Sequence, residues 1–373
     1  MRANNVMGIV FPNAHDDLMA QMTVLRSMGA VPFGARYRLI DFSLSNLVNA
    51  GITKVGIITR ANYQSLMDHL GSGKPWDLDR KKGGIFFLPP YGYSETRVYT
   101  GHVDALQGAM SYIRKAKEEY VVLCDADVIS NIDLTEMLNR HEQSGADVTV
   151  AYKRGKLPKN HRDIMSFAFA EDGRATEILL SNAIAGDCDF SLDIVVIRRE
   201  LLISLVADAS ARGKTSLWRD VLQPQTDTLK IYGYKVESFA AVMDGTDSYV
   251  AANRALIECP KARQELFCKS RPVYTKTRDD MPTRYGLSAK VTNSLVADGC
   301  IIEGEVKNCV LFRGVTVKKG AVLENCIIMQ DCTIGEGSSL NHVVFDKNVT
   351  TGDNLTLCGA ENFPVYIDKG QRI

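Results

Sequence analysis

The chain has 373 residues, long for one ordinary domain and comfortable for two. Apolar residues make up 45% and charged residues 24%, the profile of a folded protein. Forty-four basic residues cancel forty-four acidic ones, which excludes a basic nucleic-acid coat, a polybasic membrane binder and an acidic disordered tail as whole-chain descriptions. No nucleic acid and no membrane is expected as a partner.

In chain order, Val6 to Val10 reads as a strand, and its apolar run is too short for a signal peptide. Phe42 to Asn49 has helical spacing and stops at Gly51; Lys54 to Thr59 is a second strand; Gln64 to Leu70 is a short helix stopped by Gly71. Val103 to Lys117 predicts one longer helix. Tyr120 to Cys124 is a third strand that runs directly into Asp125-Ala126-Asp127. Leu134 to Gln143 is helical, and Asp147 to Tyr152 returns as a strand. This alternation predicts an α/β domain with a mostly parallel, Rossmann-like sheet over residues 1–258. Its ligands should sit beyond the carboxyl ends of the strands, near the loop after Val10 and near Asp125 to Asp127.

Residues 259–289, with Arg271-Pro272 and Met281-Pro282, read as a linker packed on both domains. Over 290–373 the pattern changes. Val317, Leu323 and Met329 stand six apart; after one shortened step Ile334 and Leu340 resume, then Val349 and Leu355. Small or β-branched residues such as Ala321, Ile327, Thr333 and Ser338 fall four places on, and Gly304, Gly320, Gly335 and Gly337 fall in turns. Hexapeptide repeats of this kind build a parallel β-helix, in which each coil buries the next.

No stretch approaches the roughly 20 apolar residues of a membrane span. Nine cysteines with no C-x-x-C pair imply buried free thiols in a reducing cytosol, hence a cytoplasmic protein. The six histidines show no metal-ligand spacing. His342, alone on the coils, reads as a turn residue rather than the base of a hexapeptide acyltransferase.

The segment Val31-Pro32-Phe33-Gly34-Ala35-Arg36-Tyr37-Arg38-Leu39-Ile40-Asp41-Phe42-Ser43-Leu44-Ser45-Asn46 resembles the ADP-glucose pyrophosphorylases (glucose-1-phosphate adenylyltransferases), whose signature reads PFGGKYRLIDFxLSN. The resemblance spans both domains and implies a nucleotidyltransferase (GT-A-like) domain followed by a left-handed β-helix. The implied reaction joins glucose 1-phosphate to the α-phosphorus of ATP and expels pyrophosphate. It needs positioning, a divalent metal and cations against developing charge.

Those parts are missing at the matching positions. The family loop GGRGTRL is here Asn13-Ala14-His15-Asp16-Asp17-Leu18-Met19, counted back without a gap from Arg26. Its glycines are gone, its arginine is Leu18, and Pro12 removes a backbone donor. Asp16 and Asp17 would add negative charge where a triphosphate lies. The RAKP lysine is Met28. Of the two aspartates that hold Mg2+ in the family, the first matches Asp127 and the second falls on Met243, with Asp244 one place off. A thioether is a poor magnesium ligand, so no cofactor is certain and Mg2+ should not bind productively.

On the sugar side, Gly8, Gly101, Asp104 and Ser191 match pocket residues. Asp193 replaces a glycine of SMGIY, Thr100 stands for an arginine, and EKP has no counterpart near Glu177 to Leu180. Loss of one preorganised donor costs about 10²–10³ in rate, so three absences imply very low turnover even without simple multiplication.

An intact scaffold around a stripped site resembles the non-catalytic, regulatory GlgD-type subunit, and Ser65 to Arg80 fits that type as well. The resemblance implies a hetero-oligomer, a heterotetramer, with a catalytic homologue in glycogen synthesis; the alternative is an active adenylyltransferase with a rearranged site. Arg26, Arg36 and Arg38 read either as surface or fold-stabilising charges or, as the resemblance implies, as the site of a phosphate-bearing effector, a sugar phosphate or nucleotide, near the domain junction, although a further lysine of that site is Leu25 here.

Overall fold

A computed structural model describes residues 5–90, 99–161, 164–180 and 186–373; the first four residues of the opening segment lie outside the described residues. Val6–Phe11 runs through the centre of a nine-stranded sheet. It pairs in parallel with Tyr120–Asp125 on one side and Lys54–Ile58 on the other, and Gly84–Leu88 extends this parallel half. Beyond Tyr120–Asp125 the long strand Asp187–Arg198 enters antiparallel. Val148–Lys156 pairs with it, and Ile231–Lys235 joins that strand in parallel. The chain passes from Val6–Phe11 to Lys54–Ile58 on one side and from the adjacent Tyr120–Asp125 to the strands on the other, so a crevice opens between these two strands at the carboxyl edge.

Alternation along the central strand serves two cores. Val6 and Val10 join Leu44, Leu47 and Val122, while Met7, Ile9 and Phe11 face Val103, Leu106 and Ile113. Burial on both faces explains why these strands read as continuous apolar runs. The helices Leu39–Asn49 and Gln64–Leu70 fall where expected. The helix expected over Val103 to Lys117 is instead two, His102–Gly108 and Met110–Lys115. Ala109, with ψ near 2°, leaves helical geometry between them.

The signature segment is a fold element. Asp41, fully buried, accepts from the Arg38 backbone N–H at 2.9 Å and meets His69 Nε2 at 2.6 Å. This caps the Leu39–Asn49 helix. Asn46 donates to Ser130 O and accepts from Ile132 N–H. Asn49 donates to Pro272 O, and Ser45 Oγ accepts from Tyr274 N–H. The motif clamps this helix to the strand edge and to the inter-domain segment.

The carboxyl-terminal part stacks short parallel strands into three sheets, the architecture of a left-handed β-helix of hexapeptide repeats. Val306, Leu323, Leu340 and Leu357 are vertical neighbours, so a coil takes two six-residue steps and one of five. The short step has a consequence. Ile328, not Met329, occupies the coil interior, and Met329 turns outward into the contact between the domains. The first coil begins within 259–289, since Arg284–Tyr285 pairs with Ile301–Ile302. Pro260–Leu266 in the same segment is helical.

All nine cysteines are free, and four of them, Cys300, Cys309, Cys326 and Cys332, fill the coil. No helix among the described residues is long and apolar enough to cross a membrane.

Candidate functional site

The carboxyl edge of the parallel strands borders a cleft of about 710 Å³, lined in part by Ala14, His15, Asp16, Asp17, Leu18, Arg60, Gly101 and His102. Its rim is the loop that replaces the glycine-rich motif. Here side chains satisfy one another. Asn13, buried, donates to Asp16 Oδ2 and to Ala61 O, and accepts from Arg60 N–H. Asp16 Oδ1 accepts from Met28 N–H at 2.7 Å, and burial raises the carboxyl's pKa. The expectation that Asp16 faces a phosphate is therefore corrected: its carboxylate turns inward and staples the loop. Asp17 remains exposed.

Behind the loop three carboxylates meet three imidazoles. His15 Nδ1 lies 2.6 Å from Asp127 Oδ2 and 3.8 Å from Asp125 Oδ2. His102 Nε2 lies 3.1 Å from Asp125 Oδ2. His161 Nε2 lies 3.7 Å from Asp127 Oδ2 and 3.9 Å from Asp193 Oδ2. The His15 and His161 rings meet edge to face at 4.2 Å.

Burial alone would lower the His15 pKa, but the charges of Asp127, Asp125 and Asp193 outweigh it and raise it to about 10. For Asp127, burial is outweighed by His15 and His161, which hold its carboxyl well below the usual range. Asp193 is pushed up to about 6 by burial and by Asp125.

Sequence spacing could not find this cluster. Its histidines lie on three distant segments, and ligand spacing is visible only when ligands share one element. The histidines show no metal-ligand spacing along the chain, and folding nonetheless groups His15, Asp127 and His161.

The positions of the missing charges have a common fate. Met28 is 1% exposed and Met243 is 0% exposed. Both belong to the apolar cluster joining the two domains, with Phe33, Tyr249, Phe312 and Met329, and half-buried Leu18 packs against it. The two positions that the resemblance matches to a lysine and an aspartate are core in this chain.

The sugar-side residues serve the fold. A Cβ on Gly101 would lie 2.4 Å from the Thr215 backbone O, so packing requires glycine there; one on Gly8 would lie 2.8 Å from Leu47 Cδ1, the movable end of a side chain. Asp104 sits in the first turn of its helix and accepts from Thr100. Asp193 keeps a left-handed backbone, φ 49°, at the glycine position. Its Oδ1 accepts from Ser191 Oγ at 3.0 Å, and both residues are buried. The carboxylate expected to point at a sugar phosphate is thus enclosed.

The residues do not fit a two-carboxylate magnesium site. Asp127 Oδ2 is bonded to His15, Met243 is buried among apolar side chains, and Asp244 Oδ2 accepts from Asn160 N–H at 3.0 Å.

Arg26 is absent from the second candidate site. Its Nη2 contacts both oxygens of Asp346 in a buried ion pair. Arg38 Nη1 donates to Ser65 O, and exposed Arg36 lies over the Tyr37 ring. Arg36 and Arg38 do converge with Lys276, Arg278, Arg313 and Lys347 around a pocket of about 200 Å³ at the domain junction. Arg313 is 6% exposed, and its Nε and Nη2 lack hydrogen-bond partners. Burial, Arg38 and Arg26 push Lys347 down to about 7.

Comparison with known proteins agrees with both halves. Residues 19–162 match the nucleotidyl transferase family model, and residues 280–362 match the GlmU-like, C-terminal hexapeptide model. The chain is 36% identical over 322 residues to the glycogen biosynthesis protein GlgD of Bacillus subtilis (strain 168), covering 86% of this chain and 83% of that protein. The GlgD of Geobacillus stearothermophilus is 36% identical over 323 residues, with the same coverage. The glucose-1-phosphate adenylyltransferase of Thermosipho melanesiensis is 31% identical over 323 residues, covering 86% of this chain and 78% of that enzyme.

Proposed function

The chain belongs to the family of GlgD glycogen biosynthesis proteins and glucose-1-phosphate adenylyltransferases, and from that premise we propose that it serves glycogen biosynthesis as a regulatory subunit without useful turnover of its own. Its partner is a catalytic homologue that makes ADP-glucose, joined with it in a cytoplasmic hetero-oligomer, a heterotetramer. One observation carries this reading: Met28 and Met243, at positions where a catalyst needs a cation and a metal ligand, lie in the apolar cluster between the domains. A charge there would be buried without a partner, so the scaffold has traded nucleotide chemistry for inter-domain packing.

The junction pocket supports a regulatory role. Cations outnumber the carboxylates of Asp68 and Asp331 around this small cavity, and one is a buried arginine whose Nε and Nη2 make no hydrogen bond, which favours an anion with several acceptor oxygens. A sugar phosphate or nucleotide effector fits that chemistry, held by Arg36, Arg38, Arg278, Arg313 and Lys347. Arg26 supports the pocket from behind through Asp346 and takes no direct part.

The test measures ADP-glucose formation with Mg2+ for this chain, for its catalytic homologue, and for the two mixed. The expected result is negligible turnover alone, co-elution on mixing and an altered rate of the pair. Turnover by the isolated chain comparable to that of the homologue overturns the reading. Separate elution with no rate change removes the partnership.

A further inference from the structure

We propose that His15, Asp127 and His161 form a binding site for a divalent transition-metal ion of the Zn2+ class, seated on the floor of the cleft. The inference goes beyond the regulatory reading and does not depend on it.

His15 Nδ1, a carboxylate oxygen of Asp127 and a ring nitrogen of His161 all lie within 4.8 Å of one another. Two imidazoles and one carboxylate are the ligands of a three-residue zinc site with a fourth position open. Magnesium and calcium prefer oxygen donors alone, whereas imidazole suits zinc, cobalt and nickel.

His161 is 1% exposed, and both its ring nitrogens lack hydrogen-bond partners, as does Asp127 Oδ1. Buried polar atoms are rarely left in this state. His161 Nε2 points between Asp127 Oδ2 at 3.7 Å and Asp193 Oδ2 at 3.9 Å. Those gaps are too long for hydrogen bonds. They approach the separation of donors that share one ion, roughly 3.3–3.6 Å for bonds of about 2.0–2.2 Å at tetrahedral angles. His15 and Asp127, now 2.6 Å apart, would open by about an ångström to admit the ion, and the His15 Nδ1 proton would leave to solvent. Asp193 or water completes the shell.

Access and consequence follow from position. The His15 side chain is 15% exposed and lines the cleft, so an ion can reach the buried pair. Once bound, it would tie the Asn13–Leu18 loop, the turn at Asp127 and the Asn160–His161 segment together. The role is to hold the loop, with no step of nucleotidyl transfer assigned to it.

The experiment titrates Zn2+ into the metal-stripped full chain by calorimetry and follows Co2+ by its visible absorption. The expected result is one equivalent per chain, not displaced by excess Mg2+, with the Co2+ spectrum of a four-coordinate site. His161→Gln and His15→Gln should each weaken Zn2+ binding by about 100-fold or more, since losing even a group that merely supports a ligand costs about 10–100-fold. His342→Ala, on a turn of the β-helix, should change nothing. Thermal unfolding of the wild-type chain should rise with Zn2+ and that of the folded His15→Gln variant should not. Absence of saturable binding by the wild-type chain, or unchanged affinity in folded His15→Gln or His161→Gln protein, overturns the proposal.

Discussion

Arg26 Nη2 stands 2.8 and 2.9 Å from the two carboxylate oxygens of Asp346, a buried ion pair that ties the α/β domain to the β-helix. Asp346 also accepts from Tyr366 Oη and from the Lys347 backbone N–H, so its remaining acceptor capacity is used. Removing one partner leaves an uncompensated charge in the domain junction. Arg26→Ala or Asp346→Ala should each destabilise by about 3–5 kcal/mol, read as a shift in the denaturant midpoint. The double variant Arg26→Met with Asp346→Leu should recover most of that loss. Equal losses in the single and double variants would show that the pair's charge is not the cause.

Restoring the family's charges should not restore catalysis. Met28→Lys and Met243→Asp each place a charge in the apolar cluster with Phe33 and Tyr249. Each should destabilise the chain by about 3–5 kcal/mol, read as a lower unfolding midpoint. Leu18→Arg, half-buried at the cleft rim, should be tolerated. The triple variant is expected to be less stable and to make no ADP-glucose with Mg2+; a folded triple variant with clear turnover would contradict this account.

Ala35 holds φ 70° at a position where the family signature has glycine, immediately after Gly34 at φ 59°. A left-handed conformation costs an ordinary L-residue about 1–2 kcal/mol, partly offset by the greater freedom glycine loses on folding. Ala35→Gly should therefore stabilise the chain by up to about 1 kcal/mol in thermal unfolding. Gly34→Ala should do the reverse, since its Cβ would also approach Leu256 Cδ1 to 3.3 Å.

The junction pocket should bind anions with a defined pH dependence. Lys347, with a pKa near 7 under the influence of burial, Arg38 and Arg26, is protonated below that value. A bound anion favours the charged form, so binding above pH 7 must take up a proton. Sulfate, whose own charge is constant here, should bind with a pH-independent affinity below about pH 7 and weaken by up to about tenfold per unit above it. Arg38, lowered to about 10 by burial, stays charged throughout this range. Lys347→Met should abolish the dependence; an unchanged pH profile in that variant would remove Lys347 from the site.

Much of the architecture was legible residue by residue. Val6–Phe11, Lys54–Ile58 and Tyr120–Asp125 announce themselves because strands buried on both faces must be apolar throughout. The six-residue steps announce the coils because each aliphatic residue stacks on its vertical neighbour. The resemblance likewise implies a loss of positive charge at Leu18 and Met28. What those losses became was settled only in three dimensions. Met28 and Met243 are far apart in the chain, and tertiary packing brings them into one buried cluster that also takes in β-helix residues. Asp16 could face a phosphate or a backbone N–H, and the turn of the loop chose Met28 N–H. His15, His102 and His161 carry no shared period, because convergence at a strand edge depends on sheet order rather than on spacing along the chain. Periodicity records what each segment buries; the company a side chain keeps is decided by segments that no local pattern contains.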